Sequence, residues 1–278
     1  MANTRAIKRR IKSVKNTGKI TKTMSMVATA KSTRAIGIIR AFRPYRNGLL
    51  EVLHRAAGGA MDHPLIAPSS VTGRLVVLIT SNRGLCGGYN GNLARLALRG
   101  RRPEDTFIAI GKKGAATLRY AGIKTLETRG DFPDIPRYER SAELADRLIQ
   151  HYLSGNYGEV TVVYMKFLSA GSQKPAQERF LPLTSGEAKP SAGPDPIFAP
   201  ARALIADELI PKAVRAAMHQ ILLDAAASEH LARQIAMKSA TDNAGEMVRA
   251  LTLKYNRVRQ SQITTEIAEI VGGAEALN

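Results

Sequence analysis

The sequence contains little cysteine, no tryptophan and no long apolar stretch. Its 278 residues include one cysteine, Cys86, so no internal disulfide can form and a disulfide-stapled secreted scaffold is excluded. A metal site built from thiolates is not expected either, because such sites need several cysteines. No apolar run approaches the roughly 20 residues that span a bilayer as a helix. Apolar residues still make up 44% of the chain, enough for a core in one or two domains.

Acidic residues are almost absent from the first 60 positions. This segment has 14 Lys and Arg and a single acid, Glu51, so it carries +13 of the net charge of +18. Nucleic acid, acidic lipid or an acidic protein surface could each be the partner of such a segment. A mitochondrial transit peptide has the same composition, but the helical pattern continues well past the length of such a peptide.

Apolar residues recur at intervals of three and four between residues 4 and 57. The pattern predicts one long helix with a narrow apolar seam. About 50 helical residues extend roughly 75 Å, more than the width of a typical domain, so this helix needs a partner along its length. The seam consists of Ile7, Ile11, Val14, Ile20, Met24, Val27, Ile38, Phe42, Leu49 and Leu53.

The C-terminal segment offers that partner. Asp207 is a candidate helix cap, Pro211 fits a first turn or a break, and no proline follows as far as Asn278. An apolar series again runs mostly by threes and fours, with an irregularity at residues 238–242 that resembles a heptad stutter. We expect the two terminal helices to pair as an antiparallel coiled coil. Two ordinary amphipathic helices on one globule are the alternative, which fits the periodicity but not the length.

The middle of the chain alternates between strand and helix patterns. Strands are predicted at residues 74–80, 106–110, 123–128 and 160–168, with helices at 91–98, 113–121 and 141–153. This alternation is typical of an α/β (Rossmann-like) domain with a mainly parallel sheet. The predicted domains are therefore an N-terminal helix at 1–60, an α/β domain at 61–200 and a C-terminal helix at 201–278.

The glycine-rich loop after the first strand is the first candidate for a ligand site. Residues 81–91 (SNRGLCGGYNG) precede a helix, as phosphate-binding loops do. No Lys-Ser or Lys-Thr follows the glycines, and their spacing does not match a dinucleotide fingerprint. A tight strand-to-helix connection that requires glycine torsions is the better interpretation.

Other catalytic and binding motifs are equally incomplete. Arg83 could lower the pKa of the Cys86 thiol, yet none of the five histidines is spaced to serve as its base, and a small packing residue is the alternative. No two pairs of His, Cys or carboxylate residues have metal-ligand spacing. The G-x-x-G at residues 111–114 follows a strand, whereas the corresponding nucleic-acid-binding loop lies between helices. We therefore predict no catalytic, cofactor or metal site.

Three regions of the chain resemble one known family, the gamma subunit of F-type rotary ATP synthase. Residues 7–17 (IKRRIKSVKNT) and 19–28 (KITKTMSMVA) resemble its N-terminal helix, and residues 83–88 (RGLCGG) its loop after the first strand. Residues 236–244 (AMKSATDNA) and 255–267 (YNRVRQSQITTEI) resemble its C-terminal helix. The matches occur in the family's order at both ends and in the middle of the chain.

The resemblance implies a central rotor shaft. Its paired helices would enter a ring of alternating alpha and beta subunits, and its α/β domain would sit with epsilon on the membrane c-ring. Proton-driven rotation of the c-ring would turn the shaft and drive the catalytic beta subunits through their conformational states. The chain itself would be a non-catalytic subunit without a cofactor, and its association with the membrane would be indirect.

The resemblance also implies subunit-contact residues. Arg259, Gln260 and Thr264 would contact a catch loop of beta, and Met24 would lie near an acidic beta loop, unless Met24 simply packs in the seam. Arg83 and Cys86 match the loop that faces the same acidic element. The basic residues of the first helix would line the inside of the ring, with solvated surface charge as the alternative; they are Lys8, Arg9, Arg10, Lys12 and Lys15.

The competing hypothesis is a basic coiled-coil protein that binds nucleic acid. The first helix has few aromatic residues for base stacking, with only Phe42 and Tyr45 at its far end. The rotor interpretation excludes nucleic acid as a partner and predicts the cytoplasmic side of a bacterial inner membrane. Because the resemblance starts at about Thr4, we expect no cleavable presequence. The single cysteine excludes the regulatory dithiol of the chloroplast form.

Overall fold

The computed structural model describes residues 4–57, 63–67, 69–183 and 202–275. Its elements are α1 (Thr4–Ala57), β1 (Arg74–Ile79), α2 (Tyr89–Arg99), β2 (Thr106–Ile110), α3 (Lys112–Tyr120), β3 (Thr125–Arg129), α4 (Tyr138–Leu153), β4 (Glu159–Ser169), β5 (Ser172–Leu181) and α5 (Arg202–Glu275). The chain forms two compact units, one from residues 4–27 and 234–275 and the other from residues 28–233 within these ranges. The predicted domain boundaries near residues 60 and 200 lie outside the described residues.

The first unit is an antiparallel pair of helices. The Oγ1 atoms of Thr21 and Thr241 lie 2.7 Å apart, and the Ser25 hydroxyl donates to the Gln234 carbonyl at 3.3 Å. Position numbers rise along α1 as they fall along α5, so the helices run in opposite directions. A Cβ placed on Gly18 would lie 3.3 Å from the Cβ of Ala244, which shows how closely the backbones approach.

The second unit is an α/β domain built on a five-stranded sheet in the order β3-β2-β1-β4-β5. The first four strands along this order are parallel, and β5 runs antiparallel to β4. Every residue of β1 is buried, as expected for a central parallel strand covered on both faces. The predicted combination of paired terminal helices with an inserted Rossmann-like domain is confirmed.

Side chains from alternating positions of β1 enter two separate cores. Leu75 and Val77 belong to a cluster with α4 and the first part of α5, whereas Val76 and Leu78 pack with α2 and α3. A third cluster joins α1 to α5 within this unit and includes Ala35, Ile39, Leu223, Ala227 and Leu231. The terminal helices therefore contribute to the core of the α/β domain.

The start of α5 differs from the prediction. The helix begins at Arg202, so Asp207 is not its cap and Pro211 lies inside it. Proline removes one backbone donor, which leaves the carbonyl four residues earlier without its helical partner. That carbonyl belongs to the exposed Asp207, where water can satisfy it. Solvation of this carbonyl lowers the local cost of Pro211, and the helix continues through it.

Replacing Gly18 with Leu should force the paired helices of the first unit apart, because even a Cβ at this position would be tightly packed against Ala244. We expect a loss of about 1–3 kcal/mol in stability, measured as a lower thermal midpoint of helix circular dichroism. Gly37 is the matched control, since a Cβ there meets nothing within 4 Å. Gly37→Leu should be neutral or stabilising by about 0.5–1 kcal/mol. Equal losses in both variants would contradict the close packing.

Candidate subunit-contact surfaces

The loop that follows β1 is fixed by its own side chains. The Ser81 N–H donates to Asn90 Oδ1 at 3.0 Å, and the Ser81 hydroxyl donates to the Arg83 carbonyl at 2.5 Å. The Asn90 amide donates to Ser81 Oγ at 2.7 Å and to Cys86 Sγ at 3.3 Å. These bonds join the end of β1 to the start of α2 and leave the loop between them little freedom.

Cys86 is part of the core and not of the surface. Its side chain is 2% exposed and packs in the cluster formed with α2 and α3. Its hydrogen-bond neighbours within the described chain are Ser81 and Asn90, which do not form the base that a cysteine nucleophile requires. The burial of Cys86 favours the alternative interpretation, in which Cys86 is a small packing residue. Its packing in the core helps to hold the loop in place.

Arg83 and Leu85 carry the exposed side chains of the same loop. Arg83 is exposed, and Leu85 is 59% exposed with a positive φ of 63°. Gly87, with φ of 58°, supplies the glycine torsion that the sequence predicts for this connection. The Arg233 guanidinium donates at 3.4 Å to the Arg83 and Gly84 carbonyls, which braces the loop against α5.

The predicted contact residues of α5 lie on its exposed surface in the first unit. Arg259, Gln260 and Thr264 are all exposed, and the Thr264 hydroxyl donates to the Gln260 carbonyl at 3.0 Å. Gln260 and Thr264 are one helical turn apart and therefore neighbours on the same side of the helix. Their exposure leaves the Arg259 and Gln260 side chains accessible to a partner.

Met24 lies on α1 in the same unit and is partly exposed. It is one turn beyond Thr21, whose partner Thr241 lies 18 positions before Arg259 on α5. Met24 lies three residues further along α1, in the direction away from Arg259, so at 1.5 Å per helical residue the two predicted contact regions are roughly 32 Å apart along the helix pair. The structure therefore separates Met24 from the α5 residues instead of joining them in one site.

A basic stripe runs along the first turns of α1. Four of the predicted cations line a shallow groove on the helix surface, and all of them are exposed; they are Lys8, Arg9, Lys12 and Lys15. Within the described part of the chain these four form no ion pair. Arg10 is also exposed but does not line the groove.

Sequence reasoning missed a buried carboxyl group in the second unit. Asp224 is 6% exposed and borders a cavity of about 720 Å³ between α1, α5, β4 and β5. Burial raises its pKa to about 6, although a hydrogen bond from Gln220 at 2.8 Å and the charges of Arg43, Lys166 and Arg46 oppose the shift. The apolar periodicity of α5 does not indicate that Asp224 is buried, because an aspartate in an amphipathic helix is expected on the exposed face.

Metal clusters and membrane-spanning helices are two other features that a sequence of this length could contain. Among residues 4–57, 63–67, 69–183 and 202–275, no cluster of three His, Cys, Asp or Glu side chains has a geometry that would hold a metal ion. None of the helices in these ranges combines the length and apolarity required to cross a bilayer.

The fold and its exposed surfaces define a class of protein in which two long terminal helices pair and carry an inserted α/β domain. The "ATP synthase" family model matches residues 3–277. The ATP synthase gamma chain of Moorella thermoacetica is 42% identical over 282 residues and that of Rhodopirellula baltica 39% over 294, each alignment covering 100% of this chain and at least 99% of the relative. The chain belongs to the ATP synthase gamma-chain family.

Solved structures of more distant proteins share the fold. A rotor structure of Euglena gracilis mitochondrial ATP synthase superimposes with a TM-score of 0.69 at 20% identity, covering 94% of this chain and 98% of that one. A second Euglena structure, of OSCP/F1/c-ring, gives 0.71 at 21% identity and covers 99% and 94%. At these identities the likeness supports the fold and not the individual contacts.

The Asp224→Asn variant should be more stable than the unmodified chain at neutral and alkaline pH. The folded pKa of about 6 lies above the ordinary value of 3.8, so the folded state binds the extra proton and loses stability as pH rises from about 4 to 6. Asparagine avoids that loss, and we expect a gain of roughly 1–3 kcal/mol at pH 8 that shrinks toward pH 4. Urea unfolding across this pH range measures it.

The exposed Asp242 on the same helix provides the matched control. Asp242→Asn should change the free energy of unfolding by less than about 0.5 kcal/mol, as substitutions at exposed positions usually do. An Asp224→Asn variant less stable than the unmodified chain at pH 8 would mean that the ionised carboxylate is stabilised in the fold.

Proposed function

We infer that this chain is the central rotor shaft of an ATP synthase, coupling proton-driven rotation to the conformational cycle of the catalytic subunits. The observation that carries this conclusion is the full-length match to gamma chains, together with the antiparallel α1 and α5 pair of the first unit. A helix pair closed by small residues such as Gly18 and Ala244 is narrow, and a narrow pair suits a shaft that turns inside a ring.

The partners follow from the family. We propose that the helix pair contacts the ring of alpha and beta subunits and that the α/β domain contacts epsilon and the c-ring. One structural neighbour is part of an F1 and c-ring assembly, and another is part of a rotor. The exposed surfaces of both units agree with such contacts, because the predicted contact residues Arg83, Arg259 and Gln260 point away from their own cores.

The catalytic sites are proposed to lie on the beta subunits and not on this chain. Its contribution to the reaction would be mechanical, through the shape and charge of its surface as it turns. The bacterial relatives support a location at the cytoplasmic side of a bacterial inner membrane, with attachment through the other subunits.

We propose a separate contact role for each of the predicted residues. On α5, Arg259, Gln260 and Thr264 contact a catch loop of beta. On α1, Met24 contacts an acidic loop of beta. Arg83 faces the same acidic element from the α/β domain. Cys86 serves that contact indirectly, because its buried thiol fixes the position of the loop.

Purification of the tagged full-length chain from its native cells tests the function directly. We expect alpha and beta subunits to co-purify at one copy of this chain per complex, as identified by mass spectrometry. The competing nucleic-acid hypothesis predicts instead bound DNA or RNA, with an affinity that falls steeply as salt rises. A chain that carries nucleic acid and neither alpha nor beta would overturn the rotor function.

Replacing Arg259 and Gln260 together with Ala should reduce ATP synthesis in membrane vesicles, because both exposed polar side chains lose their proposed contacts with beta. Loss of charge-assisted hydrogen bonds of about 1.5–3 kcal/mol each predicts a decrease of tenfold or more in coupled synthesis or in complex assembly. Arg249→Ala, another exposed cation on α5, is the control and should leave synthesis unchanged. Normal synthesis in the double variant would refute the role given to these two residues.

A further inference from the structure

Leu85 has a backbone conformation that leucine ordinarily avoids. Its φ of 63° lies in the left-handed region, where the Cβ of an L-residue crowds the following carbonyl. Of the residues that the structure describes, it is the one non-glycine with a positive φ. Glycine occupies positions 84, 87 and 88 nearby, so the loop contains glycine on both sides and yet carries leucine where glycine would fit best.

The Leu85 side chain gains little from its own chain in return. It is 59% exposed and belongs to none of the three apolar clusters, whereas its neighbour Cys86 is 2% exposed. Strained backbone persists only where surrounding structure enforces it, and such positions concentrate at contact and ligand sites. Packing within the described residues therefore does not offset the cost of this backbone conformation, which points to a stabilising contact with a partner.

The loop presents Leu85 in a fixed position. The carbonyls of the two preceding residues, Arg83 and Gly84, accept hydrogen bonds from the Arg233 guanidinium, which is itself held by Glu229 at 2.7 Å. On the other side, Cys86 is anchored in the core. A side chain that is already ordered before binding loses little entropy when it enters a partner.

The surroundings of Leu85 are cationic. Arg83 is exposed two residues away, and the ammonium group of Lys113 lies 4.0 Å from the Cβ position of Gly84. Lys112 is exposed beside it. A complementary surface would combine an apolar socket with carboxylates at its rim, the usual arrangement of a buried anchor surrounded by polar contacts.

We propose that Leu85 is the apolar anchor of this loop and inserts into a carboxylate-rimmed socket on the beta subunit, with Arg83 pairing at the rim. The inference rests on the proposed function and deepens it. It separates two roles within one loop, since Cys86 positions the loop and Leu85 makes the contact.

The Leu85→Asn variant tests the anchor. Asparagine accepts a left-handed conformation but cannot fill an apolar socket, so the loop keeps its shape and loses its contact. We expect the full-length variant to bind the purified alpha–beta complex at least tenfold more weakly, mainly through faster dissociation, with an unchanged dependence on salt. Arg83→Ala should instead weaken the salt dependence, as loss of a rim charge does. The thermal midpoint of the isolated Leu85→Asn chain should stay the same or rise, because the strain is relieved.

Two controls isolate the role of the side chain. Leu85→Met keeps an apolar anchor, and Leu153→Asn changes a leucine that is 54% exposed at the end of α4; both should bind like the unmodified chain. Unchanged binding by Leu85→Asn would overturn the inference, as would weaker binding accompanied by a clear loss of thermal stability. An unmodified chain that fails to bind the alpha–beta complex would overturn the proposed function as well, so the two failures are distinguishable.

Discussion

The antiparallel pairing of α1 with α5 is the constraint on which the rest of the structure depends. Each helix has a narrow stripe of side chains that it could not bury alone. On α1 the buried stripe includes Thr21, Ala28 and Ala35, whereas Ile20 and Val27 of the predicted seam are exposed. In the first unit the pairing is close enough for Thr21 and Thr241 to share a hydrogen bond at 2.7 Å and for Gly18 to face Ala244. In the second unit the same two helices supply Ala35, Ile39, Leu223 and neighbouring residues to a common cluster. Antiparallel pairing also requires the chain between the helices to reverse direction, which the inserted α/β domain accomplishes.

The proposed contact surfaces share one physical design, in which exposed side chains stand on elements that cannot easily move. Gln260 and Thr264 lie on successive turns of a helix, and Arg83 and Leu85 lie on a loop tied by Ser81 and Asn90. A rotor transmits force, and a contact on a rigid element transmits it without first deforming. The buried Cys86 suits this requirement, because its side chain helps to fix the loop that we propose as a contact.

Several features contradict the simplest expectations and have local causes. Pro211 stays inside α5 because the carbonyl it leaves unpaired belongs to an exposed residue. Asp224 remains in the core at the expense of a pKa raised to about 6, since Arg43, Arg46 and Lys166 offset only part of the desolvation. Both are tolerated because packing of the surrounding helix faces outweighs a local cost.

The sequence by itself determined the order of the elements, the two long terminal helices and the parallel core strands, because periodicities of 3.6 and 2 and buried β-rich runs such as residues 74–79 are local signals. It also determined the family, through motifs at both ends and in the middle. Only the tertiary structure decided that Cys86 is buried, that Leu85 is strained and exposed, and that Asp224 lies in the core. These properties depend on which distant segments pack around a side chain. Arg233, for example, donates a hydrogen bond to the Arg83 carbonyl in the loop after β1, 150 positions away along the chain. No local sequence pattern encodes such an environment.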